Sequence, residues 1–350
     1  MDANKIQRLE LSGFTCFSHI ELDFSEGINV FIGENGVGKT HLMKVLYYAA
    51  LSQENPDSPT LPSSYFGVDK NQKLVRRQHD KDQDAIIRVL FANKKVRSWN
   101  KIEIKRSGNV VYGLNRSEDG EITRPLYIPP VEMLSWYEGF QSLYQNREVS
   151  FDKTYYDLAV ALGLPKLKGP SLEAAQALAD EISQVIKADV FQKDGKFYFR
   201  FHETETEFEA PVVAQGINKL GQLYYLILNG SLNKDTILFW DEPESGLNPK
   251  YIRLLASILQ TLANAGVQIF ISTHDYLLAH QLSLMAEYRD TADAVVPDMK
   301  FFALYQSNEQ EGTVAESGPT LADIQHNTIL DEFFSFYDME QGLFQQPIKQ

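Results

Sequence analysis

The sequence predicts an α/β fold of the phosphate-loop class, and three observations predict it. The stretch Gly33-Glu34-Asn35-Gly36-Val37-Gly38-Lys39-Thr40 fits the phosphate-cradling pattern G-x-x-x-x-G-K-[ST] at every required position. A β-branched apolar run, Ile28–Ile32, precedes it, and a helically spaced run, His41–Ala50, follows it with Leu42, Val45 and Leu46 on one face. Further on, Thr236–Trp240 and Val267–Ser272 are compact apolar runs suited to central parallel strands. A helix from Lys250 to Ala263 lies between them, which implies a right-handed crossover onto the same sheet.

The elements follow in chain order. Ile6 to Leu11, His19 to Phe24 and Asn29 to Ile32 read as strands, with Ser25-Glu26-Gly27 as a hairpin turn before the third. After the phosphate-loop helix comes a polar linker, Gln53 to Ser64, holding Pro56, Pro59 and Pro62. Short strands are expected at Ala85–Ala92, Asn100–Arg106 and Asn109–Leu114, with turns at Ser107-Gly108 and Asp119-Gly120. Leu126-Tyr127-Ile128 is a short buried strand stopped by Pro129-Pro130. From Val131 to Lys187 the pattern is mainly helical, broken near Gly163-Leu164-Pro165 and Gly169-Pro170, with Ser171 as an N-cap. A hairpin follows: Val190-Phe191-Gln192, the turn Lys193-Asp194-Gly195, and Lys196 to Phe201. Residues 217–230 are helical, and the tail holds a helix around Ile329 to Tyr337. These elements group into an N-terminal lobe with a β subdomain (1–125), a helical lobe with a small hairpin (126–215) and a C-terminal lobe (216–350).

Composition excludes several classes. The 350 residues, 43% hydrophobic, can bury a sizeable core. A net charge of −14 argues against a broad basic surface for nucleic acid. Arg76, Arg77, Lys94, Lys95, Arg97, Lys101, Lys105 and Arg106 do cluster, but solvated strand faces account for them better than a nucleic-acid groove. The acidic run His202 to Glu209 is likewise read as a solvated strand face rather than a metal site. A single cysteine, Cys16, allows no internal disulfide, and no zinc spacing is visible. No apolar run reaches the ~18 residues that span a bilayer, and the N-terminus lacks the apolar stretch of a signal peptide. The chain is therefore expected to be soluble and cytoplasmic.

Two further segments complete a nucleotide site. Asn35, Gly36, Val37, Gly38, Lys39 and Thr40 are the candidate phosphate contacts: glycines let backbone N–H groups point at phosphate oxygens, and the helix dipole adds to them. Lys39 would reach the β- and γ-phosphates of ATP, and the Thr40 hydroxyl would ligate Mg²⁺. Thr236–Trp240 ends in Asp241 and Glu242; Asp241 is the candidate metal carboxylate and Glu242 the candidate base that takes a proton from the attacking water. His274, at the carboxyl end of the next strand, would contact the γ-phosphate and position that water.

GENGVGKT, ILFWDEPESGLNP and STHD together resemble the ATPase heads of the ABC superfamily, nearer to the SMC, RecF and OLD-like branch than to transporters. IQRLELSGFTCFSHIELDF resembles the opening strands of RecF and SMC heads. The resemblance implies an ABC-type head with an antiparallel β subdomain and an inserted helical lobe. It also implies a homodimer, or a higher oligomer, that sandwiches ATP and is completed by a signature motif from the partner. The candidate signature is Ala214-Gln215-Gly216-Ile217-Asn218-Lys219-Leu220, in which Ala214 replaces the usual serine and Gly216 is the candidate donor to the γ-phosphate. The interval from Thr40 to Asp241 holds no heptad run, so no long coiled coil is expected. The tail after Asp275 is too short for an appended nuclease domain, so any nuclease or toxin would be a separate effector chain. YIPPVEMLS and SFDKTYYDLA resemble compact bacterial ATPases of antiphage defence. A RecF-like role in DNA repair is the alternative; a transporter motor lacks its LSGGQ-like signature here, and the DEP, LNP and STHD series disfavours a nucleotide kinase.

Overall fold

The computed structural model describes residues 4–54, 60–77, 83–93, 97–115, 124–291, 295–308 and 312–344. Its strands are β1 (Lys5–Phe14), β2 (Phe17–Asp23), β3 (Ile28–Gly33), β4 (Ala85–Ala92), β5 (Arg97–Ile104), β6 (Val110–Asn115), β7 (Arg124–Ile128), β8 (Ala188–Lys193), β9 (Lys196–Phe201), β10 (Glu207–Glu209), β11 (Thr236–Asp241), β12 (Gln268–Ser272), β13 (Met299–Asn308) and β14 (Gly312–Gly318). Its helices are α1 (Lys39–Glu54), α2 (Pro62–Tyr65), α3 (Phe140–Gln145), α4 (Lys153–Leu162), α5 (Pro170–Ile186), α6 (Gln215–Leu228), α7 (Ile252–Asn264), α8 (Tyr276–Glu287) and α9 (Thr328–Phe344). Pro56, Pro59, Lys94, Lys95 and the Asp119-Gly120 turn lie outside the described residues.

One large sheet runs in the order β6-β5-β4-β1-β2-β14-β13-β3-β12-β11-β7, and β10-β9-β8 form a small one. From β13 to β7 all neighbours are parallel. β3, β11 and β12 are buried at every residue, because helices cover both faces of this half. On the α1 side, in-register strands stack a ladder of rings: Tyr127 on Phe239 at 6.3 Å, Phe239 on Phe270 at 5.0 Å, Phe270 on Phe31 at 6.3 Å, and Phe31 on Phe302 at 5.1 Å. Each aromatic pair adds roughly 0.5–1.5 kcal/mol beyond its area burial. The opposite face packs on α4 to α8.

The remaining strands of the large sheet, β14, β2, β1, β4, β5 and β6, pair antiparallel, and β5 alternates exposed and buried as a one-sided strand should. Basic residues on and just after β5 sit among acids: Lys105 pairs with Glu103 at 2.7 Å and Asp84 at 3.0 Å, and Lys101 with Glu103 at 3.7 Å. Gln268, fully buried at the start of β12, ties the two halves together. Its amide accepts from the Ile6 N–H and donates to the Ile6 carbonyl, both at 2.8 Å, as a neighbouring peptide would.

Three features differ from the sequence expectation. Ser25-Glu26-Gly27 does reverse the chain, but β2 and β3 are not a hairpin, because β14 and β13 stand between them. A fully buried strand needs an apolar neighbour on each side, and Phe301, Phe302, Ala303 and Leu304 of β13 supply it. The reversal is instead anchored to the start of β13, where the Ile28 N–H donates to the Asp298 carbonyl at 2.9 Å. Ser171 is not an N-cap: Gly169 is, and Pro170 opens α5, since its missing N–H and fixed φ suit the first helical position. The tail contributes β13 and β14 as well as α9, which has no buried residue and stacks Phe333 on Tyr276 at 4.5 Å. No helix among the described residues is long and apolar enough to cross a membrane.

Candidate active site

The phosphate loop leaves β3 at Gly33 and enters α1 at Lys39. Asn35 and Gly36 are exposed, Val37 is buried as an anchor, and Thr40 is half-buried. Gly36 and Gly38 have φ of +83° and +98°, the left-handed region. At Gly38 a side chain is excluded on a second count: a Cβ there would lie 2.4 Å from the Cys16 Sγ at the β1–β2 tip. Lys39 is buried, and its Nζ donates to the carbonyls of Gly33 at 2.7 Å and Glu34 at 2.8 Å. Burial pushes its ammonium down to about 8, against the pull of Asp241, Glu242, Glu244 and Glu34. Its partners are carbonyls of its own loop, which an arriving phosphate can replace.

The facing wall comes from the carboxyl ends of β11 and β12, which the parallel register brings level at Asp241 and Ser272. Asp241 is buried; one oxygen accepts from the Tyr127 hydroxyl at 3.1 Å, the other from the Ser272 hydroxyl. Glu242 has φ of +48°, a conformation costing a non-glycine residue on the order of 1 kcal/mol or more. Its N–H donates to the Ser272 carbonyl at 3.1 Å, and its carboxylate lies 3.8 Å from His274 Nε2. Burial, then the Lys39 charge, lowers the His274 pKa against the pull of Glu242 and Asp241, so the ring is mostly neutral at pH 7. Glu244 supports the strand end: its Oε1 accepts from the Thr273 hydroxyl at 2.7 Å and from the His274 N–H at 3.1 Å. Burial raises its pKa.

The structure thus brings Lys39, Asp241, Glu242 and His274 into one electrostatic neighbourhood at the carboxyl edge of the parallel strands. Gly216 is elsewhere. It sits in the first turn of α6, buried, where a Cβ would lie 2.7 Å from the Gly246 carbonyl of the same chain and 3.1 Å from Leu247. The exposed residues of that helix start are Ala214 and Gln215. Sequence reasoning missed Tyr127 and Ser272, which read as strand core, although both hold Asp241. It also passed over Lys219, a fully buried lysine whose Nζ donates to the Glu242 carbonyl at 2.7 Å. The available signal was its place on the same helical face as Gly216 and Leu223.

Among the described residues no group of three or more His, Cys, Asp or Glu could hold a metal ion. The donors present, the Thr40 hydroxyl and the Asp241 carboxylate, are hard oxygens that fit Mg²⁺ when phosphate oxygens and water complete the shell.

A family model described as an AAA domain, putative AbiEii toxin, Type IV TA system, matches residues 28–279. The chain is similar to the DNA replication and repair protein RecF of Lactobacillus delbrueckii subsp. bulgaricus, 32% identical over 111 residues, 31% of this chain and 29% of that protein. RecF of Bacillus subtilis strain 168 is 32% identical over 112 residues, 31% of this chain and 30% of that protein. The match spans under a third of the length of these relatives. Among solved structures, the Smc head domain of Pyrococcus furiosus, with an extended coiled coil and bound to the C-terminal domain of ScpA, overlays with a TM-score of 0.56 at 13% identity, covering 94% of this chain and 99% of that one. The Smc head of Pyrococcus yayanosii, with a coiled coil and joint, gives 0.58 at 11%, covering 91% and 98%. At such identities the overlay establishes the fold, an SMC-type head built on a large mixed sheet. Family match, fold and strand-end geometry agree: the chain belongs to the AAA-domain family described as putative AbiEii toxin, Type IV TA system, within the SMC and RecF branch of the ABC-superfamily ATPases.

Proposed function

We propose that this chain hydrolyses Mg-ATP in the cytoplasm, closes on a second copy of itself around the nucleotide, and thereby controls a separate effector, a nuclease or toxin, in defence against phage. The observation that carries the ATPase reading is the convergence of Lys39, Asp241, Glu242 and His274 on one strand edge beside a glycine loop. Lys39 exchanges its loop carbonyls for phosphate oxygens. Thr40 and Asp241 would hold Mg²⁺, which would supply neutralisation of phosphate charge. Glu242 takes the proton as the water oxygen bonds to the γ-phosphorus and the bond to the bridging oxygen breaks. His274, mostly neutral, orients the water or the γ-phosphate. The toxin-related description of its family supports a link to such an effector.

Closure rests on a split site, since one head supplies the phosphate loop and the carboxylate wall, and the far side of the γ-phosphate needs a donor from outside. Ala214 and Gln215 are exposed, so a partner can approach the α6 start there. Light scattering of Glu242→Gln is expected to show a dimer, or an assembly of dimers, with Mg-ATP. Ala214→Trp should abolish the ATP-dependent part, and Ala214→Ser should strengthen it. An unchanged mass with and without nucleotide in all three proteins would leave a static ATPase. Gly216→Arg is a poor probe of closure, because its side chain would meet Gly246 and Leu247 of its own chain.

The RecF similarity favours a second reading, a DNA repair ATPase. Turnover stimulated several-fold by duplex DNA would select it; the net charge of −14 weighs against it.

A further inference from the structure

The chemistry above leaves a buried lysine unused. Lys219 lies in the second turn of α6, fully buried, and its Nζ donates to the Glu242 carbonyl at 2.7 Å. Glu244, Glu242, Asp241 and Glu132 surround it and favour its charged form, against burial, which pushes it down to about 8. A buried ammonium needs such partners, because burying it unpaired is strongly unfavourable.

Its acceptor is an unusual peptide. Glu242 is one of the few non-glycine residues in the left-handed region, with φ of +48°. The peptide is held at both ends. On the β12 side, the Glu242 N–H donates to the Ser272 carbonyl at 3.1 Å. On the α6 side, its carbonyl takes the Lys219 ammonium at 2.7 Å and also the Ser245 N–H at 3.1 Å. Relaxing φ into the strand region would turn the carbonyl from Lys219, leaving the ammonium without that acceptor, and would swing the carboxylate from its place 3.8 Å from His274. α6 touches the same loop at a second point, where Gly216 packs on Gly246 and Leu247. Helix and loop are therefore coupled at two contacts.

We infer that Lys219 is a positioning residue: it holds Glu242 in its left-handed conformation, so that the first two turns of α6 set the aim of the Glu242 carboxylate. The inference rests on the reading of Glu242 as the proton acceptor. It makes the α6 start, where a second head is proposed to dock, mechanically continuous with the base.

The test compares Lys219→Met, Glu242→Gln and the double variant in the full chain, each shown to fold by its melting curve. Hydrolysis is followed in single turnover, and affinity by titration with a fluorescent ATP analogue. Lys219→Met is expected to slow hydrolysis roughly 10- to 100-fold, as misplacement of a catalytic group does, with affinity unchanged within about threefold. Added to Glu242→Gln it should cost at most about twofold more, because both changes act through one group. Unchanged hydrolysis in Lys219→Met, a parallel loss of affinity, or fully multiplicative losses in the double variant would each overturn the inference. If the Met variant fails to fold, Lys219→Gln is read in the same way. Normal turnover in Glu242→Gln would instead bring down the parent reading.

Discussion

The two walls of the candidate site each bury a lysine whose ammonium is pushed down to about 8, yet they use it differently. On the phosphate-loop wall, Lys39 is bonded to two carbonyls of its own loop and can leave them without disturbing another element. On the carboxylate wall, Lys219 is bonded across elements, from α6 to the strand end, and four carboxylates already balance it. The first cation can exchange partners for a ligand; the second has none to spare. Burial and a lowered pKa therefore do not by themselves separate a ligand-binding lysine from a tether. The mobility of the partners does.

Four substitutions put this contrast to the test. Lys39→Ala should have the largest effect, lowering turnover on the order of 10³-fold and ATP affinity at least about tenfold, since the phosphates lose a charged donor in a partly dry cradle. Labelled-ATP titration and a phosphate-release assay check it, and equal values in both proteins would remove Lys39 from the ligand. Glu242→Gln should come next, with hydrolysis down roughly 10²-fold or more while ATP still binds. His274→Ala is expected to lower turnover only about tenfold, as a water-orienting group would; an unaffected rate would make it a structural neighbour of Glu244.

The smallest effect is on stability. The folded pKa of Lys219, about 8, lies below its ordinary 10.5, so the unfolded chain holds more protons between those values. Stability therefore gains with rising pH across that window, and the burden of the charged lysine is greatest below it. Thermal melts of wild type and Lys219→Met from pH 7 to 10 should show the wild type improving relative to the variant. Burial pushes the phenols of Tyr48, Tyr65 and Tyr127 up, so their opposite contribution enters only above the ordinary tyrosine range. A pH-independent difference between the two proteins would mean that Lys219 titrates alike folded and unfolded.

Much of one wall was legible in the sequence, and less of the other. The phosphate loop is local: eight consecutive residues between a strand and a helix define it, and Lys39 and Thr40 fall within it. Asp241, Glu242 and His274 were legible because strand ends in a parallel sheet collect on one edge. Lys219 and Tyr127 were not, since a lysine in a helix reads as solvated and a tyrosine in a strand reads as core; only tertiary packing turns them toward the carboxylates. The five parallel strands divide similarly. β3, β7, β11 and β12 announce themselves as apolar runs, whereas β13 earns its central place only through pairing with β3, far away in sequence.

That late strand has a biosynthetic consequence. β2 and β3, joined by a tight reversal, are made long before β13 and β14, which slot between them. Until then β3 presents an open apolar edge, the kind of surface that invites wrong pairing in a nascent chain. Gly33, from which the phosphate loop departs, pairs with Leu304 of β13. The ribosome therefore delivers the glycine loop well before its lateral support on β13, so a chain interrupted between them carries the phosphate-loop motif without the strand that seats it.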